Sequence, residues 1–198
     1  MTPSRFPEFR PGAASGATIS TRRLTLLPLR VEHAEEMAAV LSDPDLYAFI
    51  GGEPPTVAAL RARYERLAAG SPDPGVCWRN WVIRLDEEDC LTGTVQATVT
   101  GDVAEIAWVV GTPWQRRGIA HEATSAMKGW LFLSKVRTVV AHIHPDHAAS
   151  AAVAEGVGLE PTDRWQDGEV RWEGPPSGNP SDGGSPEGDG VRAGHGRT

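Results

Sequence analysis

Residues 106–120 join an apolar strand to the start of a helix, and their sequence is Ile106-Ala107-Trp108-Val109-Val110-Gly111-Thr112-Pro113-Trp114-Gln115-Arg116-Arg117-Gly118-Ile119-Ala120. The first N–H groups of a helix have no partner within it, and the helix dipole adds positive charge at that end, so an anion is stabilised there. Gly118 leaves room for a phosphate to approach the main chain, while Arg116 and Arg117 add positive charge beside it. The junction therefore predicts a pyrophosphate-binding loop.

Two common phosphate-binding motifs, G-x-x-x-x-G-K-[ST] and G-x-G-x-x-G with a later acidic residue, do not occur in the chain. The pattern that remains is Q-x-x-G-x-A, which follows a strand with the sequence A-E-I-A-W-V-V. It resembles the acyl-CoA-binding signature [RQ]-x-x-G-x-[GA] of the GNAT superfamily of N-acetyltransferases. The resemblance implies that acetyl-CoA is the cosubstrate and that its pyrophosphate is bound by Gln115, Arg116, Arg117, Gly118, Ile119 and Ala120.

Composition limits the classes of partner. The chain has 198 residues and a net charge of −7, with an isoelectric point near 5.4. This length favours one domain, and the negative charge argues against nucleic acid or an anionic membrane as the main partner and favours a cationic substrate. No apolar segment has the length of a signal peptide core or a membrane span, so we expect a cytoplasmic protein. The chain is expected to be a monomer or a homodimer.

The spacing of apolar residues predicts the order β-α-α-β-β-β-α-β-α-β, which is the order expected of a GNAT domain. We expect an α+β fold, with a mixed, largely antiparallel twisted sheet flanked by helices and a parallel strand pair that splays at the acyl-CoA site. The predicted strands are 18–29, with its strongest signal in 24–29, and 78–85, 91–100, 103–110, 138–143 and 169–172. The predicted helices are 31–41, 57–67, 119–133 and 147–157. Residues 45–52 are predicted to be irregular.

Three segments are expected along the chain. Residues 1–16 are rich in Pro, Gly, Ser and Arg and form a flexible N-terminal arm. Residues 17–173 form the acetyltransferase domain. Residues 174–198 contain almost no apolar side chains, so they cannot bury enough surface to offset their ordering entropy and are predicted to be a disordered tail.

A second block, from His144 to Leu159, resembles the N-x-x-S-x-x-V-A-x-x-x-G-[FL] block of the ribosomal-protein-alanine acetyltransferase (Rim-type) branch. His147 stands where that branch commonly has asparagine, and it is expected to contact the CoA arm through one ring nitrogen. The resemblance makes Ser150 the candidate acid for the leaving thiolate, by hydrogen bonding to the sulfur or by positioning it. The alternative is that Ser150 caps a helical turn.

Glu105 is the candidate base because it occurs in the apolar strand segment A-E-I-A-W, where partial burial would raise its pKa. It also occupies the position at which the Rim-type pattern A-E-I-G-Y-W implies a catalytic glutamate. The alternative is a glutamate at the rim that makes a structural ion pair. Main-chain groups of Trp108, Val109 and Val110 are expected to hold the acyl arm and polarise the thioester carbonyl, unless the strand ladder is intact there.

The histidines His142, His144 and His147, together with Asp146, superficially resemble a metal site. Their spacing fixes no convincing fourth ligand, so we expect no metal.

These patterns favour direct transfer of acetyl from acetyl-CoA to a primary amine, because no cysteine or serine has the surroundings of an activated nucleophile. The acceptor stays open between a protein N-terminus and a small-molecule amine. The alternative function is a non-catalytic CoA-binding or regulatory module. A nucleic-acid-binding domain that uses the Arg-rich loop is disfavoured by the net charge.

Overall fold

A computed structural model describes residues 17–176. The predicted N-terminal arm and residues 177–198 of the predicted tail lie outside the described residues. Gly174, the first residue of that predicted tail, is the last residue of a strand.

The described chain contains eight strands and five α-helices. The strands are β1 Ile19–Ser20, β2 Leu24–Pro28, β3 Val76–Leu85, β4 Cys90–Thr100, β5 Val103–Val110, β6 Thr138–Ile143, β7 Glu160–Gln166 and β8 Glu169–Gly174. The helices are α1 Ala34–Val40, α2 Tyr47–Ile50, α3 Val57–Ala69, α4 Ile119–Leu133 and α5 Ala148–Gly156, with 3-10 turns at Val31–His33, Pro44–Leu46 and Thr112–Trp114.

The strands form one sheet in the order β1-β2-β3-β4-β5-β6-β8-β7. Neighbouring strands are antiparallel except for β5 and β6, which are joined through α4 and run parallel. A helical connection of this kind is what a parallel neighbour requires. The predicted α+β fold with one parallel pair is therefore confirmed.

Several predicted elements differ from the structure, and β7 is a strand beyond those predicted. The first predicted strand is divided into β1 and β2, because the Thr21 N–H donates to the Leu24 carbonyl oxygen and closes a turn between them. The prediction that residues 45–52 are irregular is wrong, since they include the end of a 3-10 turn and the short helix α2. The Asp43 carboxylate caps that turn by accepting from the Asp45 N–H at 2.9 Å.

The sheet has a hydrophobic core on each face. On one face α4 and α5 cover alternate strand residues such as Trp81 and Ile106. On the other face α1 and α3 cover Val82, and Leu60 and Tyr64 of α3 belong to the same cluster. Because side chains alternate across a strand, residues of odd and even number in β5 reach different cores. The sheet therefore separates the two cores.

Candidate functional site

Strand β5 is paired very differently along its two edges. Toward β4 the register is continuous over eight residue pairs, from Val103↔Thr100 to Val110↔Gly93. Toward β6 it covers only three pairs, and the last of them joins Glu105 to Val140. The β6 edge of residues 106–110 is therefore open.

The hydrogen bonds at the end of β5 identify the main-chain groups on this open edge. The Gly111 N–H donates to the Thr92 carbonyl oxygen at 2.8 Å, so Gly111 faces β4. In an antiparallel pair the hydrogen-bonded positions alternate, which directs the backbone groups of Val110 and Trp108 away from β4 and those of Val109 toward it. The Val110 carbonyl accordingly accepts from the Gln115 side-chain amide at 3.0 Å. The N–H groups of Trp108 and Val110 thus face the open edge.

Gly93 explains how β4 can approach the end of β5 so closely. A Cβ on Gly93 would lie against the Val109 carbonyl oxygen and 2.9 Å from the Cα of Val110. Every other residue type would force the two strands apart here.

The loop after β5 leads into α4 through two residues with left-handed backbone. Arg116 has a φ of 60° and Gly118 a φ of 76°. Gly118 is the N-cap of α4 and supplies no side-chain cap. The first-turn N–H groups of this 15-residue helix therefore have no side-chain acceptor from the N-cap position, as an anion site requires.

The arginines around this loop have different partners. Arg117 pairs with Glu88 at 2.7 Å and with Glu87 at 3.2 Å, and its hydrogen bond holds the pKa of the Glu88 carboxyl below the usual value. Arg23 donates to the Arg117 carbonyl oxygen at 3.1 Å and pairs with Glu122 at 2.7 Å. The sequence analysis missed Arg23, because no local pattern links it to a loop more than ninety residues later.

Glu105 lies where β5 and β6 separate, and its carboxylate contacts a histidine of β6. Glu105 Oε1 is 3.3 Å from His142 Nδ1. The side chain of His142 is 8% exposed, while that of Glu105 is 57% exposed. The burial expected for Glu105 is therefore wrong, because the neighbouring strand turns away at this point. The sequence analysis noted His142 without linking it to Glu105.

His147 and Ser150 are held together at the start of α5. His147 is the N-cap, and its Nδ1 accepts from the Ser150 N–H at 3.0 Å. An acceptor at Nδ1 makes Nε2 the protonated nitrogen of the neutral ring, so Nε2 is a donor. His147, which stands where the family commonly has asparagine, thus caps the helix, and asparagine is also a common N-cap residue. The alternative role for Ser150, capping the turn, is taken by His147.

Two cavities meet at the open end of β5. The smaller encloses about 80 Å³ and is lined in part by Trp108, His142, His147 and Ser150. The larger encloses about 300 Å³ between the sheet and helices α2 and α3, and it shares Ile50, Ala107 and Trp108 with the smaller one. The structure therefore brings Trp108 together with His147 and Ser150 at the smaller cavity. Glu105 is outside its lining and contacts it only through His142.

Two further properties concern residues 17–176 only. Within this part of the chain, no cluster of three or more His, Cys, Asp or Glu side chains has the arrangement of a metal site. His142 contacts Glu105, and His144 Nδ1 accepts from the Asp146 N–H at 3.2 Å. The helices in the same residues are too short or too polar to span a bilayer.

Comparison with known proteins identifies a family for this chain. The family model of the acetyltransferase (GNAT) domain matches residues 23–160. No curated protein matches the chain.

Similar folds occur among solved structures. A GNAT-family acetyltransferase from Bacillus anthracis is 20% identical, with a TM-score of 0.67 over 81% of this chain and 99% of that one. The aminoglycoside acetyltransferase AAC(6')-Ib, solved with paromomycin and acetyl-CoA, is 17% identical, with a TM-score of 0.65 over 77% and 93%. A candidate ribosomal-protein-serine acetyltransferase from Vibrio cholerae is 15% identical, with a TM-score of 0.62 over 80% and 97%.

Proposed function

The chain belongs to the acetyltransferase (GNAT) domain family, and we propose on that premise that it transfers the acetyl group of acetyl-CoA directly to a primary amine. The observation that carries the proposal is the open edge of β5 beside the uncapped start of α4. A ligand with amide groups can pair with that edge while its phosphates meet the helix N-terminus.

Acetyl-CoA would be held by the loop and by the end of β5. Gln115 to Ala120 would bind the pyrophosphate, with Arg116 and Arg117 as the charged members. Main-chain groups of Trp108 would pair with a pantetheine amide, and the Val110 N–H would face the acetyl group, with Val109 as the residue between them. The Nε2 of His147 would donate a further hydrogen bond to the CoA arm.

Glu105 would act as the general base. The attacking amine must lose a proton, and Glu105 offers an exposed carboxylate at the last residue pair of β5 and β6. It contacts His142, which lines the smaller cavity. His142 would be a positioning residue, because its nearly buried ring holds one carboxylate oxygen and leaves the other directed to the amine.

The remaining steps fall to the backbone of β5 and to Ser150. As the new C–N bond forms, the carbonyl oxygen of the acetyl group gains negative charge, which the Val110 N–H would stabilise. The C–S bond then breaks, and the thiolate takes up a proton from water while Glu105 returns its proton to solvent. Ser150, half-buried in the wall of the smaller cavity, would donate a hydrogen bond to that sulfur.

The acceptor belongs to the proposal only as a class. The resemblance of residues 144–159 to the Rim-type branch favours a protein N-terminus, and the Vibrio cholerae protein has a similar fold. AAC(6')-Ib, which was solved with paromomycin, favours a small-molecule amine. Both are primary amines, and direct attack serves either.

Two measurements test the proposal. Calorimetry should detect binding of acetyl-CoA and of CoA, and an assay of thiol release from acetyl-CoA should detect turnover with at least one member of a panel of primary amines. Binding without turnover on any amine would favour the non-catalytic CoA-binding module instead. Absence of binding to either form of CoA would contradict both functions.

A further inference from the structure

The smaller cavity is separated from the proposed base by a histidine. Its lining includes Trp108, His142 and Ser150, while Glu105 lies outside it. The side chain of His142 is 8% exposed and that of Glu105 is 57% exposed, and Glu105 Oε1 is 3.3 Å from His142 Nδ1. An amine in this cavity therefore meets the ring of His142 before it meets the carboxylate.

The contact with Glu105 determines which nitrogen of His142 is basic. A carboxylate only accepts hydrogen bonds, so Nδ1 carries the hydrogen and donates it to Glu105 Oε1. In the neutral ring the other nitrogen, Nε2, then has a free lone pair. A carboxylate bound to Nδ1 orients histidine as a base in the same way in Ser-His-Asp enzymes.

The Nε2 atom of His142 is open to a ligand. It has no hydrogen-bond partner among residues 17–176, and it is not among the side-chain atoms of that range that are both unpartnered and inaccessible to solvent. Since His142 lines the smaller cavity, this nitrogen is available to a molecule bound there.

The other histidines that line this cavity have the opposite arrangement of ring nitrogens. His144 Nδ1 accepts from the Asp146 N–H at 3.2 Å, and His147 Nδ1 accepts from the Ser150 N–H at 3.0 Å. In their neutral forms both rings therefore carry the hydrogen on Nε2. His142 is thus the histidine of this cavity whose Nε2 can accept a proton.

We propose that His142 is a catalytic residue, whose Nε2 takes the proton from the attacking amine while its Nδ1 passes a proton to Glu105. This inference rests on the proposed function and extends the role of His142 from positioning Glu105 to carrying the proton to it. Glu105 remains the final acceptor within the protein. In this way a carboxylate outside the cavity serves an amine within it.

The proton transfers balance over one turnover. As the amine N–H bond breaks and Nε2–H forms, the Nδ1–H bond breaks and Glu105 gains an O–H bond, so the ring stays neutral. Glu105 then releases this proton to solvent, to which more than half of its side chain is exposed. After the product leaves, Nε2 loses its proton to water and Nδ1 takes one up, which restores the starting tautomer without net gain or loss.

Replacement of His142 by asparagine separates proton transfer from positioning. In His142→Asn the side-chain amide nitrogen lies near the place of Nδ1 and can still donate to Glu105, but it cannot accept a proton and pass one on. We expect kcat for thiol release to fall about 10²- to 10³-fold, with little change in the affinity for acetyl-CoA. A kcat near that of the wild type would overturn the inference, because positioning alone would then account for His142.

Two further variants serve as controls. His144→Asn keeps an acceptor for the Asp146 N–H and should keep the wild-type kcat. An equal loss in His144→Asn would overturn the inference, since removal of any histidine from the cavity would then have the same effect. The double variant Glu105→Gln/His142→Asn should be no slower than the slower single variant, because both residues act in one relay. Losses that multiply would contradict the relay.

The tautomer of His142 provides a measurement that does not depend on activity. In ¹⁵N-labelled wild-type protein above neutral pH, long-range ¹H–¹⁵N spectra should show hydrogen on Nδ1 of His142 and on Nε2 of His144. The two asparagine variants assign the signals. Hydrogen on Nε2 of His142 would overturn the inference.

Failure of this inference can be distinguished from failure of the proposed function. Turnover that His142→Asn retains in full would contradict the relay and leave direct acetyl transfer in place. Absence of turnover by the wild-type protein with every amine would contradict the proposed function, and the relay with it.

Discussion

The two edges of β5 have opposite uses. Toward β4 the strand forms a continuous ladder of eight residue pairs, and Gly93 allows the closest approach at its end. Toward β6 the ladder stops after three pairs, at Glu105. One edge therefore stabilises the sheet, while the other leaves backbone groups without a strand partner. In the proposed function, stability and cosubstrate binding are thus assigned to different edges of one strand rather than to different residue types.

The largest expected effect concerns the residue at which the second edge opens. Glu105→Gln keeps the shape of the side chain and removes its ability to accept a proton. We expect kcat to fall by about 10²- to 10⁴-fold, with little change in the affinity for acetyl-CoA. Thiol release at saturating amine measures the first quantity and calorimetry the second.

A control for this prediction is Glu160→Gln, which changes an exposed glutamate of β7 and should leave the rate unaltered. If Glu105→Gln kept the wild-type rate and pH profile, Glu105 would be a structural partner of His142 and another group would be the base.

Local sequence signals were sufficient to predict strand β5 and helix α4, which form this site. The apolar run of 103–110, the break at Gly111-Thr112-Pro113 and the helical stripe of 119–133 predict β5 and α4 with the bounds that the structure has. These bounds depend on periodicity and on glycine and proline chemistry, which act over a few residues.

Contacts between distant residues were not predictable in the same way. The pairing of Glu105 with His142 spans 37 positions, and it depends on where β6 leaves β5. Tyr64 of α3 and Asn80 of β3 line one cavity because α3 packs on that face of the sheet. The exposure of Glu105 likewise depends on the departure of a neighbouring strand, which its own apolar context cannot reveal.

The pairing of β5 with β4 can be disrupted at Gly93. In Gly93→Ala the added methyl group would press against the Val109 carbonyl and the Cα of Val110, both of them backbone. We expect the free energy of unfolding to fall by about 2–3 kcal/mol, as for overpacking in a core. Urea denaturation measures this free energy of unfolding.

The control is Gly129→Ala in α4, where a Cβ would meet nothing within 4 Å. Alanine in a helix interior should raise the free energy of unfolding by about 0.5–1 kcal/mol relative to glycine. Effects of the same sign in both variants would contradict the close approach of β4 to β5.

The open edge of β5 is followed by the start of α4 at Gly118. The role of Gly118 can be tested by comparison with another glycine of similar backbone conformation. Gly118 has a φ of 76° and Gly101, in the turn between β4 and β5, a φ of 61°. Alanine should cost each site about 1–2 kcal/mol of stability, because both need left-handed backbone. Only Gly118→Ala should also raise KM for acetyl-CoA, by about tenfold, since its methyl group would lie in the proposed pyrophosphate loop, 3.4 Å from Arg23 Nη2.

Steady-state kinetics at saturating amine would measure these KM values. An equal KM in the two variants would place the pyrophosphate away from this loop.

The smallest expected effect concerns the contacts that fasten α4 to the β1–β2 turn beside the open edge. Burial raises the pKa of Glu122, but hydrogen bonds from Thr21 and Arg23 lower it more, so its pKa is below the usual value. A carboxyl with a lowered pKa in the folded state stabilises the protein above the unfolded value near 4.5, and this contribution is lost as pH falls through the folded value. Glu122→Gln should therefore reduce the free energy of unfolding by about 0.5–1 kcal/mol at pH 7, and the difference from wild type should shrink below pH 4.5. Urea denaturation at a series of pH values measures it. A difference that is constant with pH would mean that shape, rather than charge, makes Glu122 useful, and that the start of α4 is held in place without an ion pair.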